Sequence, residues 1–216
     1  MLLDGIFRSP VFAVETPLSA EFPNLFPEEE RAISGAIARR RQEFAAGRSC
    51  ARRAMKALGL ANSPIIMGAD RAPIWPRGVT GSISHSATRC VAAVGRHSDG
   101  IRAVGIDIEE AVSLEEDLAE EICIASERNW LLTQQASMRG LLQTMIFCAK
   151  ECVYKCQYPL SRTLFGFDAI RIELDLAEEK FSAYFETDVA PFKTGERLNG
   201  RIGFRQGHVV SGMVIG

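Results

Sequence analysis

The chain has 216 residues, 47% hydrophobic and 24% charged, which suits one large domain or two small ones with a core needing no disulfide or metal staples. Its formal net charge of -2 excludes the global basic field of a nucleic-acid-binding protein, although Arg39, Arg40, Arg41, Arg48, Arg52 and Arg53 crowd one short stretch. Six cysteines (Cys50, Cys90, Cys123, Cys148, Cys152 and Cys156) show neither a C-x-x-C pair nor zinc-ligand spacing, so they read as free thiols in a reducing compartment.

Met1 to Val14 is interrupted by Asp4, Arg8 and Pro10 and lacks the apolar core of a signal peptide. No run is long enough to span a bilayer, so a cytoplasmic protein without membrane partners is expected. Residues 1–26 read as extended or irregular. Pro27 followed by Glu28, Glu29 and Glu30 marks a helix start, with proline at the first position and acids in the first turn. A second helix is expected from about Arg39 to Leu58. Phe44, Ala51, Met55 and Leu58 share its apolar face with Gly47, and Arg41, Arg48 and Arg52 form a neighbouring stripe.

From Ser63 to Gly78 the Pro and Gly punctuation predicts a loop. Strands are expected over Val79–Ser84, Arg89–Val94 and Arg102–Glu109, with a turn region at Gly95–Gly100. Leu114–Ile124 and Ser126–Gln135 read as helices. A longer helix from about Leu141 to Gln157 has Leu142, Met145, Ala149, Cys152 and Cys156 on its apolar face and is ended by Pro159. Strands return at Ala169–Leu174, Phe181–Thr187, Arg197–Arg205 and His208–Ile215. No repeat is visible. Each half offers a helix followed by strands, which predicts an α+β fold with mainly antiparallel sheets.

Three segments carry chemistry. In Val104-Gly-Ile-Asp-Ile-Glu109, Asp107 and Glu109 fall on one face of a strand with their Cα atoms about 7 Å apart, close enough to converge on one hard cation. Two carboxylates plus substrate phosphates is the usual way to hold magnesium. Gly105, on the same face, leaves room for a ligand. Alone, the pair reads better as a half-buried strand with a solvated acidic face. In Phe147-Cys-Ala-Lys-Glu-Cys-Val-Tyr-Lys155, Glu151 and Lys155 are neighbours on a helix. They form either a surface ion pair or a third acid facing the carboxylate strand, with lysines for phosphate oxygens. Gly81-Ser-Ile-Ser-His-Ser86 sets Ser84 and His85 among small residues, where backbone and side-chain donors can approach a phosphate. An isolated histidine is more often structural.

In this order, these segments resemble the signatures of the 4'-phosphopantetheinyl transferases of the Sfp type, above all the enterobactin-synthase component D subgroup that serves siderophore and polyketide synthases. Arg41-Gln-Glu-Phe44, Gly47-Arg48 and Cys50-Ala51-Arg52 resemble the family's first helix signature, and Arg71-Ala-Pro-Ile-Trp-Pro76 a further one. The resemblance runs from about Arg31 to the C-terminus. It implies two similar α+β subdomains related by pseudo-twofold symmetry, taken here as residues 1–101 and 102–216, with coenzyme A between them. It implies Asp107, Glu109 and Glu151 as ligands of Mg2+, and Lys150 and Lys155 as contacts of the pyrophosphate. Ser84 and His85 would approach the 3'-phosphate, helped by Arg40, Arg48 and Arg31, with Arg71 a weaker contact.

The implied reaction moves phosphopantetheine from coenzyme A to a serine of an apo acyl- or peptidyl-carrier protein, in fatty-acid, polyketide or non-ribosomal peptide synthesis. Adenosine 3',5'-bisphosphate departs, with Glu151 as base and Lys155 beside the developing charge. The acidic stretch Glu109–Glu121 would repel an acidic carrier, so no docking residues are assigned. Both halves of the site lie in one chain, which implies a monomer. Two readings compete: a magnesium-dependent nucleotide phosphoesterase, and a non-catalytic module that binds coenzyme A or carriers.

Overall fold

The computed structural model describes residues 1–114 and 116–216. It is an α+β fold of two halves, each a long helix laid on an antiparallel sheet. The first half contains β1 (Phe12–Pro17), α1 (Pro27–Ala32), α2 (Ala38–Ala57), a short hairpin of β2 (Ile66–Met67) and β3 (Pro73–Ile74), β4 (Val79–His85) and β5 (Arg89–Arg96). The second contains β6 (Ala103–Glu110), α3 (Glu116–Ile122), α4 (Ala125–Leu132), α5 (Ala136–Ser161), β7 (Ile170–Asp175), β8 (Lys180–Phe185), β9 (Arg197–Arg205) and β10 (His208–Ile215). The sheets run β1-β5-β4 and β6-β10-β9-β8-β7. No helix among the described residues is long and apolar enough to cross a membrane.

Alternation along each strand divides the core. On β5, Cys90, Ala92 and Val94 pack under α2 with Ala51, Ala54 and Met55. Val91 and Ala93 point the other way, onto Val104, Ile106 and Ile108 of β6, and so join the halves. Gly105, Asp107 and Glu109 are thereby turned to the opposite face of β6, as the period of two requires. A third core beneath α5 gathers Leu142, Ile146, Ala149 and Val153 against Ile170, Phe181 and Ile202.

Within the first 26 residues, expected to be extended or irregular, the extended part is β1, which pairs antiparallel with β5, and Leu2 and Ile6 are buried in the seam between the halves. Two local expectations are corrected. Pro159 does not end α5. Proline removes one helical N–H, but only within the last turn, and the helix stops after Ser161 with Arg162 left-handed at φ 55°. Gly105 leaves room for α5 rather than for a ligand: a Cβ there would stand 2.2 Å from the Cys152 carbonyl oxygen. Gly47 plays a similar part on α2, where a Cβ would meet Ile83 at 2.8 Å.

One polar device occurs in both halves. Glu29 is fully buried, accepts the Phe26 and Ile65 N–H groups at 3.0 and 2.9 Å, and pairs with Arg52 of α2 at 2.8 Å. Glu127 is likewise buried, accepts the Ile124 and Ile172 N–H groups at 2.8 and 2.7 Å, and pairs with Lys150 of α5 at 2.8 Å. Each carboxylate caps a short helix, ties in the chain at or near a strand and pins the long helix. A buried charge needs this degree of satisfaction.

Candidate active site

Where the halves meet, β4, β6, α2 and α5 enclose a cleft of about 360 Å³. Asp107 and Glu109 reach it from β6, Glu151 and Lys155 from α5, Ser84 and His85 from β4, and Arg40 and Arg48 from α2. Arg71 overhangs it from the β2–β3 hairpin tip. The cleft adjoins a cavity of about 650 Å³, with which it shares Arg71, Pro73, Ile83 and Lys155. It also adjoins one of about 250 Å³ lined by Tyr154, Leu164, Phe165 and Phe167, with Glu151 common to both.

The acidic end is tightly organised. Lys155 Nζ lies 2.5 Å from Asp107 Oδ1 and donates to Ser84 Oγ at 2.9 Å, and Ser84 donates to the same Asp107 oxygen at 2.7 Å. Asp107 Oδ2 is buried without a hydrogen-bond partner. Burial and then the charge of Asp107 push the Glu109 carboxyl up to about 8. Burial also raises Glu151, with Lys155 opposing and Asp107 reinforcing. Burial alone would lower the Lys155 ammonium, but Asp107 beside it more than offsets that and raises it.

Among the described residues, no three His, Cys, Asp or Glu side chains stand in ready-made metal-site geometry. Lys155 supplies the positive charge at Asp107 in this arrangement. The donor set nevertheless suits a magnesium ion. It offers hard carboxylate oxygens, an unpartnered Asp107 Oδ2, and two further carboxyls, Glu109 and Glu151, on the same cleft.

The other end is cationic. Arg40 Nη1 lies 3.3 Å from His85 Nε2 and 3.4 Å from Glu43 Oε2, and Glu43 also pairs with Arg39 at 3.0 Å. Burial lowers His85, although Glu43, 3.6 Å away, pulls it back. Glu43 itself is lowered: burial would raise it, but the Arg39 hydrogen bond, His85 and Arg40 outweigh burial. Arg48 is buried, which lowers it to about 10; its Nε donates to the Ile65 carbonyl at 2.7 Å and its guanidinium stacks on Phe44.

Two expected contacts are set apart from this cleft. Lys150 does not present its ammonium to it. Its Nζ is buried and donates to the Ile122 and Phe167 carbonyls at 2.9 and 2.8 Å besides Glu127, so all three donors are engaged. Arg31 is not among the lining residues, and its Nε turns back to the Pro27 carbonyl at 3.3 Å. The arginine stripe of α2 is likewise divided. Arg41 pairs with Glu30 and Arg52 with Glu29, holding α1, while only Arg48 of the three reaches the cleft. The sequence reading missed Glu43, which balances Arg40 and His85. Its spacing of four from Arg39 on one helix was the available signal. The acidic stretch falls partly outside the described residues, at Glu115.

Two family models together match most of the chain. A family model described as the 4'-phosphopantetheinyl transferase N-terminal domain matches residues 28–95, and one described as the 4'-phosphopantetheinyl transferase superfamily matches residues 103–208. The chain is 36% identical over 168 residues to 4'-phosphopantetheinyl transferase Npt of Nocardia iowensis, covering 76% of this chain and 74% of that protein. It is 33% identical over 199 residues to 4'-phosphopantetheinyl transferase PptT of Mycobacterium tuberculosis, covering 88% and 85%. It is 37% identical over 150 residues to enterobactin synthase component D of Salmonella typhimurium, covering 68% and 59%.

Proposed function

The chain belongs to the Sfp-type 4'-phosphopantetheinyl transferases and is an enzyme of that activity; from this we propose that it moves phosphopantetheine from coenzyme A to a serine hydroxyl of an apo carrier protein or carrier domain. The observation that carries the reading is the convergence of Asp107, Glu109, Glu151 and Lys155 at one end of a cleft whose other end holds Arg40, Arg48 and His85. A polyanion with a reactive pyrophosphate and a separate phosphate fits that polarity. We take residues 1–101 as the half that supplies most nucleotide contacts and residues 102–216 as the half that supplies the acids. The enzyme would act as a cytoplasmic monomer, which six unpaired buried thiols and the single-chain cleft support.

Asp107, Glu109 and Glu151 would hold magnesium, which when bound neutralises charge on the pyrophosphate. Arg40, Arg48, Arg71 and His85 would bind and orient the nucleotide end, whereas the Ser84 hydroxyl, expected there, is engaged with Asp107 and Lys155 at the acidic end. Glu151 is the acid placed to accept the proton of the carrier serine, directly or through water. The serine oxygen forms a bond to the β-phosphorus as the bond to the bridging oxygen breaks. Lys155 lies beside the acids, where it can stabilise the adenosine 3',5'-bisphosphate that departs.

Mass spectrometry of several apo carriers incubated with coenzyme A and magnesium tests the proposal. One phosphopantetheine added at a carrier serine, with equimolar adenosine 3',5'-bisphosphate, is the expected result. Nucleotide cleavage without carrier modification would overturn it.

A further inference from the structure

The tip of the β2–β3 hairpin, residues 68–72, crosses from the first half to the end of α5 in the second. Asp70 carries the crossing with both carboxylate oxygens. Its Oδ1 accepts the Ala72 N–H at 3.1 Å and closes the tip, in which Gly68 and Arg71 also donate backbone bonds to Ala72 and Gly68 at 2.8 and 2.9 Å. A Cβ at Gly68 would stand 2.5 Å from that oxygen. Asp70 Oδ2 accepts the Tyr158 hydroxyl at 2.9 Å, with the Arg162 guanidinium 3.6 Å away. The Tyr158 ring stacks on Tyr154, which meets Phe165 edge-on, so the anchor on α5 is itself packed.

Arg71 is caught between these restraints. Its backbone is left-handed, at φ 67°, a conformation that side chains other than glycine rarely adopt. Its exposed side chain lines both the acidic cleft and the adjoining larger cavity. Among the described residues, no hydrogen-bond acceptor holds its guanidinium. The contacts from Asp70 to Tyr158 and Arg162 lie largely in solvent, where such pairs add little to stability. Backbone strain held by a weak surface clasp is more economically explained by ligand binding than by folding.

We propose that Asp70 and Tyr158 form a clasp between the halves that positions Arg71 against the phosphates of a nucleotide spanning the two cavities. Asp70 and Tyr158 are positioning residues: they act through Arg71 and touch no reacting atom. The inference rests on the cleft being the coenzyme A site.

Calorimetric titration of coenzyme A, paired with steady-state kinetics, tests this in wild type, Tyr158→Phe, Arg71→Ala and the double variant. Tyr158→Phe removes only a hydroxyl, and melting curves establish that it is folded. It should raise the Kd for coenzyme A about three- to tenfold, in the range of one ordinary net hydrogen bond, with the loss falling on KM rather than kcat. The effect should disappear in the Arg71→Ala background, which a merely structural role would not produce. Asp70→Ala should weaken binding at least as much as Tyr158→Phe. If wild type fails to bind coenzyme A, the functional reading falls and the clasp with it. If wild type binds, but Tyr158→Phe binds equally well or its loss simply adds to that of Arg71→Ala, the clasp alone is overturned.

Discussion

Lys155 Nζ is 2.5 Å from one oxygen of Asp107, while the other oxygen of that buried carboxylate has no hydrogen-bond partner. The lysine balances half of the carboxylate and leaves the other half available to a cation. Asp107→Ala should therefore reduce transfer by about 10²–10³-fold or more, the scale of losing one electrostatic stabiliser at a reacting centre. Excess chelator should abolish activity in wild type. Turnover assays on the variant, and on wild type in chelator, check both; full activity in either would refute a metal-supported mechanism.

His85 should couple nucleotide binding to pH. Its proton affinity is lowered in the folded protein, so the stability it contributes is present above its ordinary value of 6.5 and is lost as pH falls below that. A phosphate placed against it reverses the preference, because an anion favours the charged ring. Coenzyme A binding should then take up a proton near neutral pH and tighten as pH falls toward 6. Titrations in two buffers of different ionisation enthalpy measure the uptake. Dephospho-coenzyme A, or His85→Ala, should show much less of it.

Glu151 has two proposed roles that magnesium can separate. If it only holds the ion, excess magnesium should restore most of the rate to Glu151→Gln. If it also accepts the serine proton, a defect of about 10²–10⁴-fold should persist in single turnover at saturating magnesium with coenzyme A still bound. Complete rescue would leave Glu151 as a ligand alone.

Lys150, beside Glu151 in the chain, should behave quite differently. Lys150→Met leaves the Glu127 carboxylate buried and without its counter-charge, a loss of about 3–5 kcal/mol. Chemical denaturation should show that loss, while the folded fraction binds coenzyme A as wild type does. Arg52→Met should cost a similar amount through Glu29, since the two pairs are counterparts. A large fall in coenzyme A affinity without a fall in stability would return Lys150 to the binding site.

The sequence by itself determined most elements and their faces, because helical and strand periodicities are local properties. Val104, Ile106 and Ile108 had to share a side, and Asp107 and Glu109 the other. What it left open was destination. Asp-x-Glu, Lys-Glu and Ser-x-Ser-His are each compatible with a solvated or structural role, and only the packing of β4, β6 and α5 brings Asp107, Glu151 and Ser84 into one cleft. Lys150 and Glu151 illustrate the limit. Adjacent residues on a helix point about 100° apart, so one enters the cleft and the other the core. Which does which depends on Glu127, far away in the chain. The buried carboxylate common to both halves was equally hidden. Its traces are Phe26 with Glu29 and Ile124 with Glu127, two helix starts with the same spacing but little shared composition. Tertiary structure decided their meaning, because a carboxylate three residues into a helix becomes a buried hub only when a cation from another helix and an N–H from a distant segment arrive at the same point.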